Sequence, residues 1–290
     1  MVGMNEVLDG VSELAAFPQT ALKVTSILSS GQGSAAEIEQ VARNDEALSM
    51  AILRWANSVR YGHPGRTFTL REGIARLGSS VLLKIVLEQK TAGMFASAGT
   101  AYDLQRGALW RSAVGGAIAA ESIARSARFD SPDLAFLCAL LRDIGKLALD
   151  AHFGPEYMGL VVRHTRPDRT FVEAEREAFG FDHAGLGAEL AARWNLPDRI
   201  AGAIRFHHDP PASAPAHDVL VDIVHAADII SLWAGLAIGC DGMQYKLAQH
   251  VRIGLALDRA AAEQLVAGMW DKLRETEAVM APYTEQGAAI

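Results

Sequence analysis

The stretch that most constrains the fold is residues 132–149, PDLAFLCALLRDIGKLAL, an apolar run with three charged side chains near its middle. Ser131 before it is a typical N-cap, and a proline at the first helical position strengthens the helix start. The resulting helix is apolar nearly all round, which is typical of a helix inside a bundle. Arg142, Asp143 and Lys146 would then lie in the core. Loss of one member of a buried ion pair costs about 3–5 kcal/mol, so polar partners on other helices are expected.

The rest of the chain is also predicted to be helical. No segment combines alternating polarity with β-branched residues as a strand would. Apolar spacing and capping residues predict helices over 18–30, 34–43, 46–57, 70–77, 81–92, 103–127, 132–149, 155–165, 169–178, 183–194, 198–207, 217–237 and 259–280. A loop is predicted over 61–65 and a linker over 93–102. The prediction is an all-α multi-helix bundle, with an N-terminal helical subdomain over 1–100 and a helical core over 101–290.

Charge and cysteine content exclude several classes of protein. The 290 residues carry a formal net charge of −7 and no run of lysine and arginine, which argues against nucleic-acid partners and an anionic membrane surface. No apolar run is long enough to span a bilayer. Cys138 and Cys240 lack metal-site spacing and lie in apolar context, which favours a reducing compartment. Since no signal peptide is recognisable either, we expect a cytoplasmic protein.

Histidines and aspartates in the second half of the chain could form one site. His183 opens a helix, and His207 and His208 close another. His225 and Asp228 are three residues apart on one helix and therefore share a face. Together with Asp143 they supply the imidazole and carboxylate ligands of a metal site that activates water for phosphoester hydrolysis. The remaining histidines are predicted to be surface residues: His63, His152, His164, His217 and His250.

Several motifs carry a family resemblance over about residues 14–236. LRDIGKL at 141–147 resembles the LHDIGKL core of HD-domain metal-dependent phosphohydrolases. The later motifs HAGLGAELAARWNLP, IRFHHDP and VHAADIISLW resemble the following elements of that superfamily. In the first half, FPQTALKVTSIL, DEALSMAILRWANSVRYG and TFTLREGIARLG are similar to the HDOD family, the HD-related output domain of bacterial signalling. The resemblance implies an HD-like helical core preceded by a smaller helical subdomain.

Two positions depart from the HD pattern. Arg142 stands where the pattern has the histidine of the His-Asp pair, and Ser112 where an upstream histidine is usual. An arginine stays protonated and offers no lone pair to a metal. By the resemblance, Ser112, Arg142, Asp143, His183, His207, His208 and Asp228 form a degenerate HD site. We expect no metal ion and no cofactor there, although Asp143, His183, His207, His208 and Asp228 stay residual candidate ligands. The guanidinium would replace the cation and pair with Asp143 or Asp228.

Simpler interpretations of these residues stay open at this point. Arg142 and Asp143 could be a purely structural ion pair. His207 and His208 could cap carbonyls at a helix end, and His183 could be an N-terminal polar residue without a ligand role.

The function implied by the resemblance is a non-catalytic regulatory module of bacterial signal transduction whose partners are other signalling proteins. One alternative is a metal-dependent phosphohydrolase or cyclic-nucleotide phosphodiesterase that uses the remaining histidines and aspartates. The GYP sequence of HD-GYP enzymes is absent after RFHHDP. Another alternative is a nucleotide sensor in which Arg142 and Lys146 meet phosphate.

Overall fold

A computed structural model describes residues 2–11, 35–58, 69–95, 99–166, 168–211, 217–236, 238–240 and 245–286. Every regular element in these ranges is an α-helix or a short 3-10 turn, which confirms the predicted all-α class. The described α-helices, numbered in chain order, are α1 Met4–Gly10, α2 Ala35–Arg43, α3 Glu46–Ala56, α4 Leu70–Phe95, α5 Ala108–Ser126, α6 Pro132–Leu141, α7 Ile144–Phe153, α8 Glu156–Val161, α9 Phe171–Phe179, α10 His183–Arg193, α11 Asp198–Phe206, α12 Val219–Trp233, α13 Gln249–Gly254 and α14 Arg259–Gln286. The predicted helix over 18–30 and loop over 61–65 lie outside the described residues.

The chain divides into two compact units. The larger contains Met1–Ala15 and Met94–Leu273, and the smaller contains Ala16–Gly93 and Arg274–Ile290. The domain boundary predicted near residue 100 stays a prediction. Of the helices in the described ranges, none has an apolar segment long enough to cross a membrane.

Local capping explains the helix starts of the smaller unit. The Asp45 side chain accepts a hydrogen bond from the Leu48 N–H at 3.0 Å and begins α3, as predicted. At the start of α4 the Thr69 N–H donates to the Glu72 carboxylate at 2.9 Å, while the Thr69 hydroxyl accepts from the Glu72 N–H. Gly78 has a φ of 74°, which interrupts α4 where the sequence predicts a break between two helices.

The core of the larger unit is built from helices that are buried on most of their surface. Helix α5 packs against α6 and α12, and α10 packs against α7 and α11. Helices α6 and α12 are almost entirely apolar and their side chains are buried nearly all round, as expected of central helices. The few polar residues on these helices therefore face one another inside the bundle.

The single helix predicted over 132–149 is wrong, because the chain forms two helices there. Helix α6 ends at Leu141 and α7 begins at Ile144. Asp143 between them has φ −101° and ψ 13°, which departs from helical geometry. Arg142 contacts Ser112 of α5 and Asp228 of α12, while Asp143 faces His183 of α10. A similar correction applies to the predicted helix over 103–127, which begins only at Ala108.

Candidate functional site

The residues predicted to form a degenerate HD site lie together in the larger unit. Ser112 comes from α5, Arg142 and Asp143 from the turn before α7, His183 from the first turn of α10, His207 and His208 from the end of α11, and Asp228 from α12. We call this set the buried polar cluster. Its side chains are almost completely shielded from solvent; that of Arg142 is 0% exposed.

The guanidinium of Arg142 is hydrogen-bonded on every side. Its Nε donates to Asp228 Oδ1 at 2.7 Å and lies 3.3 Å from Asp143 Oδ2, so the predicted ion pairing is present with both carboxylates. Nη1 donates to the carbonyl oxygens of Ala139 at 2.8 Å and Ser112 at 3.3 Å. Nη2 donates to the hydroxyls of Ser112 at 2.8 Å and Ser231 at 3.2 Å. A guanidinium has five N–H donors, and each of them meets a protein acceptor here.

A glycine and a serine on α5 make room for this arginine. A Cβ on Gly116 would overlap the Nη1 atom of Arg142, so the guanidinium lies directly against the helix backbone. The short side chain of Ser112 leaves the adjacent space open and offers a hydroxyl acceptor. The two departures from the HD pattern, Arg142 and Ser112, are therefore coupled: the larger side chain occupies the space beside the smaller one.

Asp143 carries its charge between two cations. Its Oδ1 lies 3.1 Å from Lys146 Nζ and 3.6 Å from His183 Nε2, and its Oδ2 faces Arg142. Burial alone would raise the pKa of the Asp143 carboxyl, but the charges of Lys146 and Arg142 outweigh burial and hold that pKa well below its usual range. Asp143 is therefore an ionised carboxylate that faces the imidazoles.

A buried carboxylate that the sequence analysis did not select orients His183. Glu175 on α9 is 0% exposed and accepts hydrogen bonds from the His183 backbone N–H at 2.9 Å and the ring Nδ1 at 2.7 Å. The Tyr102 hydroxyl donates to the Glu175 Oε1 atom at 2.8 Å, and the Tyr157 hydroxyl donates to the same atom. With Nδ1 directed at Glu175, the Nε2 atom of His183 faces the buried polar cluster.

We expect Tyr157→Phe to lower the free energy of unfolding by about 1.5–3 kcal/mol, because the buried Glu175 carboxylate loses a hydroxyl donor. Urea denaturation followed by circular dichroism measures the change. Tyr102→Phe removes the other hydroxyl and serves as the matched variant, with a loss of the same order. Stability within about 0.5 kcal/mol of the wild type in both variants would contradict this role of the tyrosines.

His207 and His208 present nitrogen atoms to the cluster. The His207 Nδ1 atom lies 2.6 Å from the Ile204 carbonyl oxygen and donates to it, so Nε2 carries the lone pair and has no hydrogen-bond partner. Burial lowers the pKa of His207 to about 4, which keeps this imidazole neutral near pH 7. The His208 ring stacks on Tyr245, and its Nε2 lies 2.9 Å from His183 Nε2. Burial also lowers the pKa of His208 well below its usual value.

Part of the cluster has the geometry of a metal site. One donor atom each from Asp143, His183, His207 and His208 lies within 4.8 Å of the others. Asp143 Oδ1, His207 Nε2, His208 Nδ1 and Asp228 Oδ2 are buried without a hydrogen-bond partner. Imidazole nitrogens and a carboxylate oxygen are ligands of a divalent transition metal. One such ion therefore fits the group formed by Asp143, His183, His207 and His208. Asp228 is not in this group, and its Oδ1 atom accepts the shorter of the two Arg142 contacts, 2.7 Å against 3.3 Å for Asp143 Oδ2.

His225 is not part of this arrangement, so its inclusion in the predicted ligand set is wrong. Its Nδ1 lies 2.7 Å from the His207 carbonyl oxygen, and its Nε2 accepts from the Ala248 N–H at 3.0 Å. Both ring nitrogens are used by the backbone, so none is left for a ligand. Spacing along the helix places His225 on the same face as Asp228, but it does not show whether a histidine there binds a ligand or only the backbone.

Comparison with known proteins agrees with this architecture. A Geobacter sulfurreducens HDOD domain protein of unknown function superposes with a TM-score of 0.72 and 24% identity over 99% of this chain and 95% of that one. A candidate signal-transduction protein of Marinobacter aquaeolei gives a TM-score of 0.69 at 20% identity, over 94% of this chain and 59% of that one. A candidate phosphohydrolase of Shewanella amazonensis gives 0.67 at 21% identity over 97% of both chains. These likenesses show a shared fold.

Two sequence comparisons complement the structural ones. An uncharacterised protein of Treponema pallidum is 25% identical over 227 residues, which are 77% of this chain and 43% of that protein. The chain thus spans less than half of the length of that relative. The HDOD domain family model matches residues 14–210, which is more than half of the chain. Because that match includes the turn of Arg142 and Asp143 together with His183, His207 and His208, the chain belongs to the HDOD family.

Proposed function

We propose that this chain is a non-catalytic regulatory module of bacterial signal transduction that acts by binding other signalling proteins and needs no cofactor. The observation that carries the proposal is the Arg142 guanidinium, whose donors are all bound by protein acceptors. It supplies a permanent positive charge beside Asp143 and Asp228, where an HD phosphohydrolase would use metal ions. Membership of the HDOD family supports a role in signalling.

The Arg142 contacts argue against both catalysis and phosphate binding. Asp228 accepts a hydrogen bond from the Arg142 Nε–H at 2.7 Å, and the guanidinium neutralises its charge, so Asp228 is a poor metal ligand. Because Arg142 directs no N–H group away from the protein, it cannot also bind a phosphate, which weakens the nucleotide-sensor alternative. The side chains of Arg142, His183 and His207 are 0% exposed, so a substrate could not reach them without rearrangement of the bundle.

A cytoplasmic location is part of the proposal. Cys138 is a buried free thiol, and this is the usual state of a cysteine in a reducing compartment. The similar Marinobacter aquaeolei structure is described as a signal-transduction protein, and this description supports signalling proteins as the partners of this chain.

A metal-dependent phosphohydrolase is the second candidate, and one observation favours it: the four donor atoms of Asp143, His183, His207 and His208 within 4.8 Å of one another. An ion bound there would supply a Lewis acid that activates water. Glu175 would fix the orientation of His183, and Ile204 would keep the lone pair of His207 directed at the ion. Asp228 would contribute only its Oδ2 atom.

We expect the purified chain to hydrolyse neither bis(p-nitrophenyl) phosphate nor cyclic dinucleotides with added Mn²⁺, Fe²⁺ or Mg²⁺. Its rate should equal that of Asp143→Asn, which removes the charge of the central carboxylate. Arg142→His should also stay at this level, because Ser112 still takes the place of the second histidine. Turnover in the wild type that disappears in Asp143→Asn would contradict the proposal and favour the phosphohydrolase.

The binding role needs its own measurement. The tagged chain is purified from its host together with bound proteins, and these are quantified by mass spectrometry against Asp143→Asn as a matched bait. A signalling protein retained equally by both baits is the expected result. A partner retained only by the wild type would tie binding to the state of the buried polar cluster, whereas retention of no signalling protein by either bait would contradict the binding role.

A further inference from the structure

A second group of metal-ligating side chains lies in the larger unit, outside the buried polar cluster. His217 precedes α12, Asp222 is in the first turns of α12, and His250 is on α13. The sequence analysis expects both histidines to be ordinary surface residues. Their side chains are 34% and 30% exposed, and both face Asp222. Asp222 lies six residues before Asp228 on α12, about 9 Å along the helix axis.

The contacts within this group leave two atoms unsatisfied. His217 Nε2 lies 2.8 Å from Asp222 Oδ2, a hydrogen bond that fixes one carboxylate oxygen. His250 Nε2 lies 3.6 Å from the other oxygen, Oδ1, which is too long for a hydrogen bond. Both Asp222 Oδ1 and His250 Nε2 are buried atoms without a hydrogen-bond partner.

The two unpartnered atoms face each other inside the protein, since the Asp222 side chain is only 7% exposed. Buried polar atoms without a partner are rare in folded proteins, and each calls for an explanation such as a bound ion. A positive ion between the two atoms would satisfy both. His225 lies three residues after Asp222 but cannot contribute, because the backbone occupies both of its ring nitrogens.

We propose that His217, Asp222 and His250 form a binding site for one divalent transition-metal ion of the zinc class. Two imidazole nitrogens and one carboxylate oxygen are a ligand set suited to Zn²⁺, whereas Mg²⁺ and Ca²⁺ prefer oxygen ligands alone. The ring centroids of the two histidines are 6.4 Å apart. A tetrahedral ion with Zn–N bonds of 2.0–2.1 Å requires them to approach by about 1 Å. Rotation of the partly exposed His217 side chain can provide this movement.

The ion would connect parts of the chain that are distant in sequence. It would join His217, which precedes α12, to Asp222 in α12 and to His250 in α13. One turn after Asp222, His225 already links α12 to the start of α13 by accepting the Ala248 N–H. Because the ion binds the folded arrangement of three ligands, it would stabilise the folded state.

Calorimetric titration of the metal-stripped 290-residue chain with ZnCl₂ near neutral pH tests the proposal. We expect one site that is weakened at least 10-fold by His217→Ala and by His250→Ala, since each removes one of three ligands. His164→Ala is the matched control: its side chain is 33% exposed and lies 3.4 Å from Glu177 Oε1. That variant should bind like the wild type. His207→Ala, in the buried polar cluster, should keep the site as well.

A second readout separates binding from folding. Zn²⁺ should raise the melting temperature of the wild type and of His164→Ala, but not of His217→Ala or His250→Ala, when each variant is compared with its own melting temperature without metal. Zinc affinity that is unchanged in both ligand variants, or lost only in His207→Ala, would overturn the proposal.

Discussion

Arg142→Ala will lower the free energy of unfolding by about 3–5 kcal/mol, because it leaves a buried carboxylate without its counter-ion. Asp228 Oδ1 would lose its 2.7 Å partner in a region where its side chain is only 6% exposed. The Ser112 and Ser231 hydroxyls and two carbonyl oxygens would lose their donors at the same time. Urea denaturation at neutral pH measures the loss as a shift of the transition midpoint. An unchanged slope of the unfolding free energy against urea concentration would indicate that the folded state keeps its compactness.

A surface ion pair provides the control for this experiment. Arg259 and Glu263 are 2.8 Å apart, almost the same distance, but their side chains are 92% and 65% exposed. Arg259→Ala should cost no more than about 1 kcal/mol, since exposed pairs contribute little. If Arg142→Ala stays within that limit, the guanidinium is not the counter-ion of the cluster.

A double variant identifies the partner. Asp228→Asn removes the charge that Arg142 neutralises, so Arg142→Ala should cost less in that background than in the wild type. Coupling of about 0.5–3 kcal/mol between the two changes is expected for groups in direct contact. Additive losses would assign the guanidinium to Asp143 instead.

The sequence predicts the helical class and the ion pairing because both depend on local or compositional signals. Apolar spacing and capping residues such as Asp45 and Thr69 act within one or two turns. The Arg142 pairing follows from a general rule, namely that a buried charge needs a partner. The turn at Asp143 has no such local signal, because an apolar run with a central charged pair is compatible with one helix or with two.

The residues that hold His183 in place come together through packing between helices, and spacing along the sequence does not predict such contacts. Glu175 lies on the apolar face of α9 together with Phe171 and Phe179. A carboxylate on an apolar helix face is rarely buried without a partner, so this position could have indicated a buried polar contact. Tyr102 and Tyr157 are separated by 55 positions in the chain, so their meeting at Glu175 requires the tertiary structure. The same reason explains why His225 and Asp228 share a helix face but have different roles.

Close contact between α7 and α10 is the packing feature that positions the imidazole of His183. A Cβ on Gly145 would overlap the His183 carbonyl oxygen and lie 2.8 Å from the Gly187 nitrogen. Both neighbours are backbone atoms of a helix, so neither can rotate away as a side chain would. The glycines of the motifs LRDIGKL and HAGLG therefore allow two helix backbones to meet beside the cluster.

We expect Gly145→Ala to lower the free energy of unfolding by about 3 kcal/mol, since added volume in a packed core forces the backbones apart. Gly268→Ala is the matched control: Gly268 lies inside α14, and a Cβ there meets nothing within 4 Å. The same chemical change should stabilise that helix by about 0.5–1 kcal/mol. Chemical denaturation of both variants gives the two values. A loss below about 1 kcal/mol in Gly145→Ala would mean that α7 and α10 can separate at little cost, and the fixed position of His183 would then need another explanation.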